Sequence, residues 1–577
     1  MKKLARYLKG YTKECILGPL FKLFEAALEL IVPLIIALII DNGINSSSLV
    51  DSAKQAYVIR MSLVLVLLGA IGLAFSVTAQ YFAAKAACGF IGRIRYSLFN
   101  HIQSLSYTEL DTIGTSTLIT RITSDSNQVQ NGLNMTLRLL LRSPFVVFGA
   151  MIMAFTIDFK SALTFAAVIP ALSVVIFGIM LISIPLHKTV QSGVDRVLKS
   201  TSENLSGARV IRAFCKEDDE IKSFRENNSH LNSVQIFVGR ISALLNPLTY
   251  VLINVAIIFL IYSGAVQVNI GNLSQGQVVA LYNYMSQILI ELIKLANLII
   301  SITKALASAS RIQSVFEVDS TMKFGTESFY EASGEVVFEN VSLRYRGSSE
   351  NSLSRISFAC TGGQTVGIIG GTGSGKTSLV NLIPRFYDAS EGRIILGGKD
   401  VRQYDSESLR QSIGIVPQRA VLFSGTIREN MKWGNGAATD EEIYSALGAA
   451  QALNIVEQKG GLDAKIEQEG RNLSGGQRQR LTIARALVKK PKILILDDSA
   501  SALDYATDAK LRQALKKIKD TTVFIVSQRA SSVMHADKIL LLDDGELAAV
   551  GTHDQLLRTS PIYKEIYDTQ FSEGGAI

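Results

Sequence analysis

Along the first half of the chain, apolar residues gather into six stretches, near 15–41, 60–86, 136–157, 160–186, 243–265 and 276–303. Each has about 20 residues or more, the length a helix needs to cross a bilayer. The connections at 42–59, 158–160 and 266–275 carry few Lys or Arg, whereas those at 87–135 and 187–242 are long and rich in them. Basic connections stay on the cytosolic side. The pattern therefore predicts six spans with both termini in the cytosol. Residues 93–105 and 198–213 keep a helical apolar spacing, so the helices are expected to continue well beyond the bilayer. Interruptions near 110–114 and 214–218 fall at their tips. These are either docking elements for a soluble domain or ordinary hairpin turns.

Charged residues interrupt the apolar stretches in two places. Lys22, Glu25 and Glu29 share one face of the first helix, and Glu291 and Lys294 form an i, i+3 pair in the sixth. A charge in hydrocarbon costs several kcal/mol, so these groups must face a wet cavity or one another. The first alternative makes Glu25, Glu29 and Glu291 the lining of a polar substrate pathway; the second makes them ion pairs that lock helices together. Arg138 and Arg142, at the cytosolic end of the third span, are expected to snorkel to lipid phosphates. Pro33, Pro144, Pro170 and Pro247 lie inside spans and are candidate kinks.

The pattern changes at 316–335, where Ser, Thr, Gly and charged residues read as a linker between a domain at 1–315 and another at 336–577. Residues 336–345 alternate as strands do. The strand-like Thr365-Val366-Gly367-Ile368-Ile369 then leads into Gly370-Gly371-Thr372-Gly373-Ser374-Gly375-Lys376-Thr377-Ser378, and a helix follows. This is the G-x-x-x-x-G-K-[ST] spacing of a phosphate-binding loop. Glycines let backbone N–H groups turn onto phosphates, and the helix N-terminus adds partial positive charge. Lys376 can reach the β- and γ-phosphates, and Thr377 can ligate Mg²⁺.

Farther on stand Ile415-Val416-Pro417-Gln418, then Leu473-Ser474-Gly475-Gly476-Gln477 at a helix start. The latter is a second anion site. One chain rarely wraps one phosphate with two such loops, which suggests two chains meeting across a nucleotide. Ile493-Leu494-Ile495-Leu496-Asp497 reads as a buried strand whose terminal Asp497 sits beside the Mg²⁺. Asp498, Ser501-Ala502-Leu503-Asp504 and the strand ending at Ser527-Gln528 complete the set. Tyr345, upstream of the loop, is an aromatic that can stack on a base.

Composition narrows the class. The chain has 577 residues, 48% hydrophobic and 19% charged, with a formal charge of +8. That length exceeds one domain. The basic excess lies between apolar stretches, which fits a membrane protein and not a nucleic-acid binder. Four scattered cysteines, Cys15, Cys88, Cys215 and Cys360, form neither a disulfide framework nor a metal site.

The ordered set of motifs resembles the nucleotide-binding domain of ATP-binding cassette (ABC) transporters. With six spans ahead of it, the chain looks like a half-transporter of the exporter type. The implied fold is an all-α six-helix transmembrane domain followed by an α/β P-loop ATPase domain. The resemblance implies that Tyr345 stacks on adenine and that Gly370, Gly373, Ser374, Gly375, Lys376, Thr377 and Ser378 hold ATP. Gln418 would contact Mg²⁺ and the lytic water. Ser474, Gly475, Gly476 and Gln477 would bind the γ-phosphate of a nucleotide held by the opposite subunit, and Asp504 would link the two sites. The tips near 111–115 and 213–219 would be coupling helices.

Two positions depart from the family. Asp498 stands where a Glu polarises the attacking water, and its carboxylate is about 1.5 Å shorter in reach. Gln528 stands where a His is usual, and an amide cannot carry a proton or positive charge. Losing such acid–base help costs about 10²–10⁴-fold. The expectation is a site that binds ATP well and cleaves it slowly, within a heterodimer like those of bacterial multidrug exporters, in the cytoplasmic membrane. The expected cargo is small and amphipathic. The rivals are a homodimeric lipid or peptide exporter and a nucleotide-gated regulator that moves no cargo.

Overall fold

The computed structural model describes residues 2–45, 50–330, 332–499, 502–518 and 520–572. It divides into two compact units, Met1–Gln103 with Ser116–Val318, and Ser104–Thr115 with Asp319–Ile577. Among the described residues, six helices are long and apolar enough to cross a membrane: Thr12–Ile44, Asp51–Ser104, Thr115–Ile157, Phe159–Ser206, Glu217–Asn269 and Gln275–Phe316. Each of the six apolar stretches falls inside one of them. The second helix has 54 residues, about 80 Å at 1.5 Å per residue. A hydrocarbon core is about 30 Å thick, so the helix runs far past it. Its middle faces outward, with Leu63, Val66 and Leu67 exposed as a lipid-facing surface requires. The buried seam of this first unit is made of small and branched residues, including Ala26, Ala150, Ala154, Leu172 and Ile176. Small side chains there let helix backbones approach closely.

The prolines act in two ways. Pro144 and Pro247 lie just inside the helical pieces Arg142–Ile157 and Leu245–Asn269, each beginning after a local break. There a missing N–H costs least. Pro33 and Pro170 lie within uninterrupted helix.

The intramembrane charges are paired. Arg142 Nη2 lies 2.5 Å from Glu29 and its Nη1 2.5 Å from Glu291. Glu291 also accepts from Lys294 at 2.8 Å and from Ser143 Oγ at 2.8 Å. Lys22 pairs with Glu25 at 2.5 Å. Arg142 is therefore not a snorkelling residue. It is 6% exposed and ties the first, third and sixth spans together, because two carboxylates within reach offer it more than lipid phosphates beyond the bundle. Glu29 keeps 41% of its side chain exposed, so it alone of Arg142's two partners retains open acceptor capacity.

The second unit is built on a six-stranded sheet, a four-stranded sheet and a short ribbon. In chain order the strands are β1 (Val336–Leu343), β2 (Leu353–Cys360), β3 (Thr365–Ile369), β4 (Glu391–Leu396), β5 (Lys399–Asp400), β6 (Ile413–Val416), β7 (Gly425–Thr426), β8 (Lys465–Ile466), β9 (Ile493–Asp497), β10 (Thr522–Val526), β11 (Lys538–Asp543) and β12 (Glu546–Gly551). The large sheet runs β12-β11-β3-β10-β9-β6. Its pairs are parallel except for β11 with the edge strand β12. Strands β9 and β10 are buried at every residue, which accounts for their nearly continuous apolar side chains, Ile493 to Leu496 and Val523 to Val526. The antiparallel sheet runs β2-β1-β4-β5. The register sets Val526 beside both Asp497 and Ile368, so three strands end at one edge.

The stretch at 319–335, without a helix or strand of its own among the described residues, is pinned to this unit. Phe329 is fully buried and meets Tyr404 edge-on, ring centroids 5.0 Å apart. Backbone bonds from Gly325 to Tyr404 and from Glu327 to Gln403, both 3.0 Å, hold it further.

Arg142→Ala strands carboxylates in an apolar bundle. It should destabilise the first unit by about 3–5 kcal/mol, seen as a lower unfolding temperature of the detergent-purified protein. Adding Glu29→Gln and Glu291→Gln should recover most of the loss.

Candidate nucleotide site

The phosphate loop springs from β3 and enters the helix α1 (Lys376–Leu382). Gly375 stands at the cap with φ +89, and a Cβ there would meet the Ser352 carbonyl at 2.7 Å. A side chain is excluded by both backbone and space. Gly373, with φ +85, faces open space. Lys376 is nearly buried, and its ammonium bonds the loop's own carbonyls, Gly370 at 2.9 Å and Gly371 at 2.5 Å. Burial lowers its pKa, against the opposing pull of Asp498 and Asp497.

Thr377 Oγ1 donates to Asp497, with both carboxylate oxygens within 3.1 Å. These are hard oxygen donors, and two of them suit Mg²⁺, which takes its remaining ligands from water and substrate phosphates. Burial raises the pKa of Asp497, and Asp498 beside it raises it further. Burial also raises Asp498, while Lys376, Arg529 and a hydrogen bond from Gln418 act the other way. Asp498 has φ +44, and its N–H bonds the Val526 carbonyl at 3.0 Å. Asp tolerates this left-handed geometry better than most residues.

Around these groups lies a cavity of about 450 Å³. Gly373, Gly375, Lys376, Thr377, Ser378, Gln418, Asp497, Asp498 and Gln528 all line it. Gly370 and Ser374 belong to the loop but do not line the cavity; Ser374 turns inward and bonds Gly371 O at 2.9 Å. Tyr345 lines a second cavity of about 500 Å³, and its hydroxyl donates to Ser378 at 3.0 Å.

Ser474, Gly475, Gly476, Gln477 and Asp504 do not line the cavity. Ser474 caps the helix α2 (Gly475–Val488) in a reciprocal box with Gln477 and is exposed. Asp504 caps α3 (Tyr505–Lys516) by accepting from Thr507 N at 2.8 Å. Ser501 lies outside the described residues.

The first tip is a short helix, Tyr107–Ile113, packed within this second unit. The Tyr107 ring lies 4.5 Å from Phe386, and the Tyr387 hydroxyl donates to Asp111 at 2.6 Å. Glu109 is fully buried, bonded by Ser106 and, at 2.8 Å, by Thr321 Oγ1. Burial alone would raise its pKa, but these hydrogen bonds prevail and hold it below the ordinary value. The second tip, around the helix Ala208–Ala213, leaves Val210 and Phe214 exposed.

Sequence reasoning missed Tyr387, which lines the cavity of Tyr345, and Asp544 and Gly545, which line the phosphate cavity. The Asp-Gly pair signals a hairpin turn, and nothing local links that turn to a nucleotide.

Comparison with known proteins shows the family and the fold. Residues 15–292 match the ABC transporter transmembrane region and residues 353–501 the ABC transporter family. The uncharacterized ABC transporter ATP-binding protein YfiB of Bacillus subtilis is 37% identical over 577 residues, all of both chains. YgaD of Bacillus subtilis, provisionally named a multidrug export ATP-binding/permease protein, is 31% identical over 99% of each chain. An ATP-dependent lipid A-core flippase of Hahella chejuensis is 32% identical over 86% of this chain and 85% of its own. A bacterial Atm1-family ABC exporter solved with ATP bound shares the fold, with a TM-score of 0.77, 98% coverage of both chains and 23% identity. The class defined by six spans and this site is the ABC exporter half-transporter, and the chain belongs to the ABC transporter family. It is a multi-pass membrane protein with an ATP-binding, ATP-hydrolysing domain.

Lys376→Ala removes the one ammonium of the loop that lines the cavity; with the phosphate contact that the loop spacing predicts, ATP affinity should fall about 10–100-fold, measured with a fluorescent ATP analogue. Glu109, with its lowered folded pKa, stabilises the unit above its unfolded pKa of about 4.3. That contribution is lost as pH falls through the folded value. The wild type should therefore unfold at a higher temperature than Glu109→Gln at neutral pH, and the gap should close in acid. The lone tryptophan, Trp433, reports the transition by fluorescence.

Proposed function

We propose that this chain is the slow-hydrolysing half of a heterodimeric exporter that moves small amphipathic molecules out across the bacterial cytoplasmic membrane. The observation that carries the reading is Asp498 and Gln528 lining the phosphate cavity beside a Leu-Ser-Gly-Gly-Gln signature intact in sequence. The loop N–H groups and Lys376 bind the phosphates, and Thr377 and Asp497 hold Mg²⁺. A bound Mg²⁺ supplies charge neutralisation at the phosphate oxygens. Gln418 orients water. Asp498, with its short reach and positive φ, holds its carboxylate back from that water. Gln528 bonds the γ-phosphate without lending it a charge.

A second chain follows from the surfaces left over. Ser474 is exposed and does not line this chain's own cavity, so it is free to meet the partner's ATP. Phe214 at the second tip is 74% exposed, and the stacked Phe423 and Trp433 are exposed on the second unit. Apolar surfaces of this kind favour burial against a partner subunit. ATP held between two such domains closes them, and differential binding to the closed state shifts the spans from inward-open to outward-open. In this reading the membrane domain is 1–315, the connection 316–335 and the ATPase domain 336–577, with both termini cytosolic. Tyr345 stacks on adenine, and Asp504 links the paired sites. Of the carboxylates read as cargo-path candidates, Glu29 has the exposure that role needs and Glu25 lies on the same face of the first helix, whereas Glu291 is buried and taken up by Arg142, Lys294 and Ser143.

The multidrug-export name of YgaD favours amphipathic cargo. The similarity to a lipid A-core flippase supports a second reading, a homodimeric lipid exporter. Pull-down from the native host with intact-mass stoichiometry separates them. A second chain of similar size at one to one supports the heterodimer; a mass of twice this chain means a homodimer in which Asp498 is the working base. Asp498→Glu with Gln528→His should raise ATP turnover severalfold, and no change would contradict a defect at these two positions.

A further inference from the structure

The switch position Gln528 lies in a loop between β10 and the four-residue helix α4 (Ala530–Val533). That helix needs a hydrogen-bond acceptor for its first N–H. Arg529 stands at its cap, and a guanidinium has no acceptor to offer. The acceptor comes from the far end of the chain. Gln570 Oε1 accepts from Ala530 N at 2.8 Å, and Gln570 Nε2 donates to the Gln528 carbonyl at 2.8 Å. One amide thus grips the backbone on both sides of Arg529. The two partners dictate its orientation, since a flipped amide would set donor against donor and acceptor against acceptor.

Gln570 is carried by the helix α6 (Pro561–Ser572), which follows α5 (His553–Thr559). Tyr563 anchors α6. It is fully buried, and its hydroxyl lies 2.9 Å from His553 Nδ1. The Tyr567 ring rests 5.2 Å from His553 and 4.4 Å from Phe571. The amide is therefore presented from a fixed helix, as a positioning group must be.

We propose that Gln570 is a positioning residue for the switch: it holds the backbone at 528–530 so that the Gln528 side chain meets the γ-phosphate. The inference rests on the reading of Gln528 as the switch residue. The side chain of Gln528 reaches the cavity only from the backbone that Gln570 holds, and a misplacement of about 1 Å can cost up to 10²-fold in rate.

The test is a double-mutant cycle in the full chain, purified with its partner subunit if it has one. Wild type, Gln528→Ala, Gln570→Ala and the double variant are compared in kcat and KM for ATP and in the release rate of labelled ATP. Gln570→Ala should move the same quantity as Gln528→Ala, in the same direction, by about three- to tenfold with KM unchanged. The double variant should equal Gln528→Ala alone. Gln570→Glu keeps the acceptor but sets an oxygen against the Gln528 carbonyl, so it should behave like Gln570→Ala. Additive effects, or a silent Gln570→Ala beside an active Gln528→Ala, would overturn the proposal and leave the switch reading standing. A silent Gln528→Ala would overturn both. Hydrogen exchange should quicken at 527–532 in Gln570→Ala and stay unchanged in β9. If β9 loosens too, Gln570→Glu, which keeps the volume, decides by the same criteria.

Discussion

The nucleotide site depends on one constraint, the parallel pairing of β3, β9 and β10. Their hydrogen bonds set Ile368, Val526 and Asp497 side by side. Everything that leaves the sheet at that edge therefore converges: the phosphate loop after β3, Asp498 after β9 and Gln528 after β10. In a parallel sheet the loops at the carboxyl edge share one crevice. Slipping one strand by a single residue would turn its side chains to the opposite face. Asp497 would then leave Thr377, and the oxygen pair suited to Mg²⁺ would not form. The full burial of β9 and β10 enforces the register, because only continuous apolar strands can fill that layer.

A different constraint governs the first unit. Apolar bundles have little hydrophobic drive between helices, so small residues and polar contacts decide which helices meet. Arg142 joins three spans through Glu29 and Glu291. The same charges that a transporter can use for cargo thus also fasten its helices. Lys294 adds a second cation to Glu291. Glu29 is the more exposed of Arg142's two partners.

Much of the fold was legible because its signals are local. A span is a run of about 20 apolar residues, and all six appear in the sequence without help from any distant residue. The phosphate loop is equally local, since its glycines, Lys376 and Thr377 are consecutive. The place of Asp497 was legible because a continuous apolar run closing on a carboxylate puts that carboxylate at a strand end. Arg142 was misread, because snorkelling is the default for an arginine near a membrane end and its two glutamates are 113 and 149 residues away. The stretch at 319–335 has the composition of a loose connection. Its attachment is hidden in Phe329, whose pocket is made by Tyr404.

The sequence by itself determined the six spans, the class of the second domain and the Gly-rich loop between a strand and a helix, because spacing along one strand, loop or helix carries that information. Only the tertiary structure decided which of these groups share a cavity, that Ser474 and Asp504 do not line it, that Tyr387 meets Asp111 and Glu109 meets Thr321, and that Gln570 bonds the backbone at 528 and 530. Each of those facts is a contact between residues far apart in the chain. Such contacts follow from strand register and helix packing, which depend on the whole hydrophobic pattern and not on any local motif.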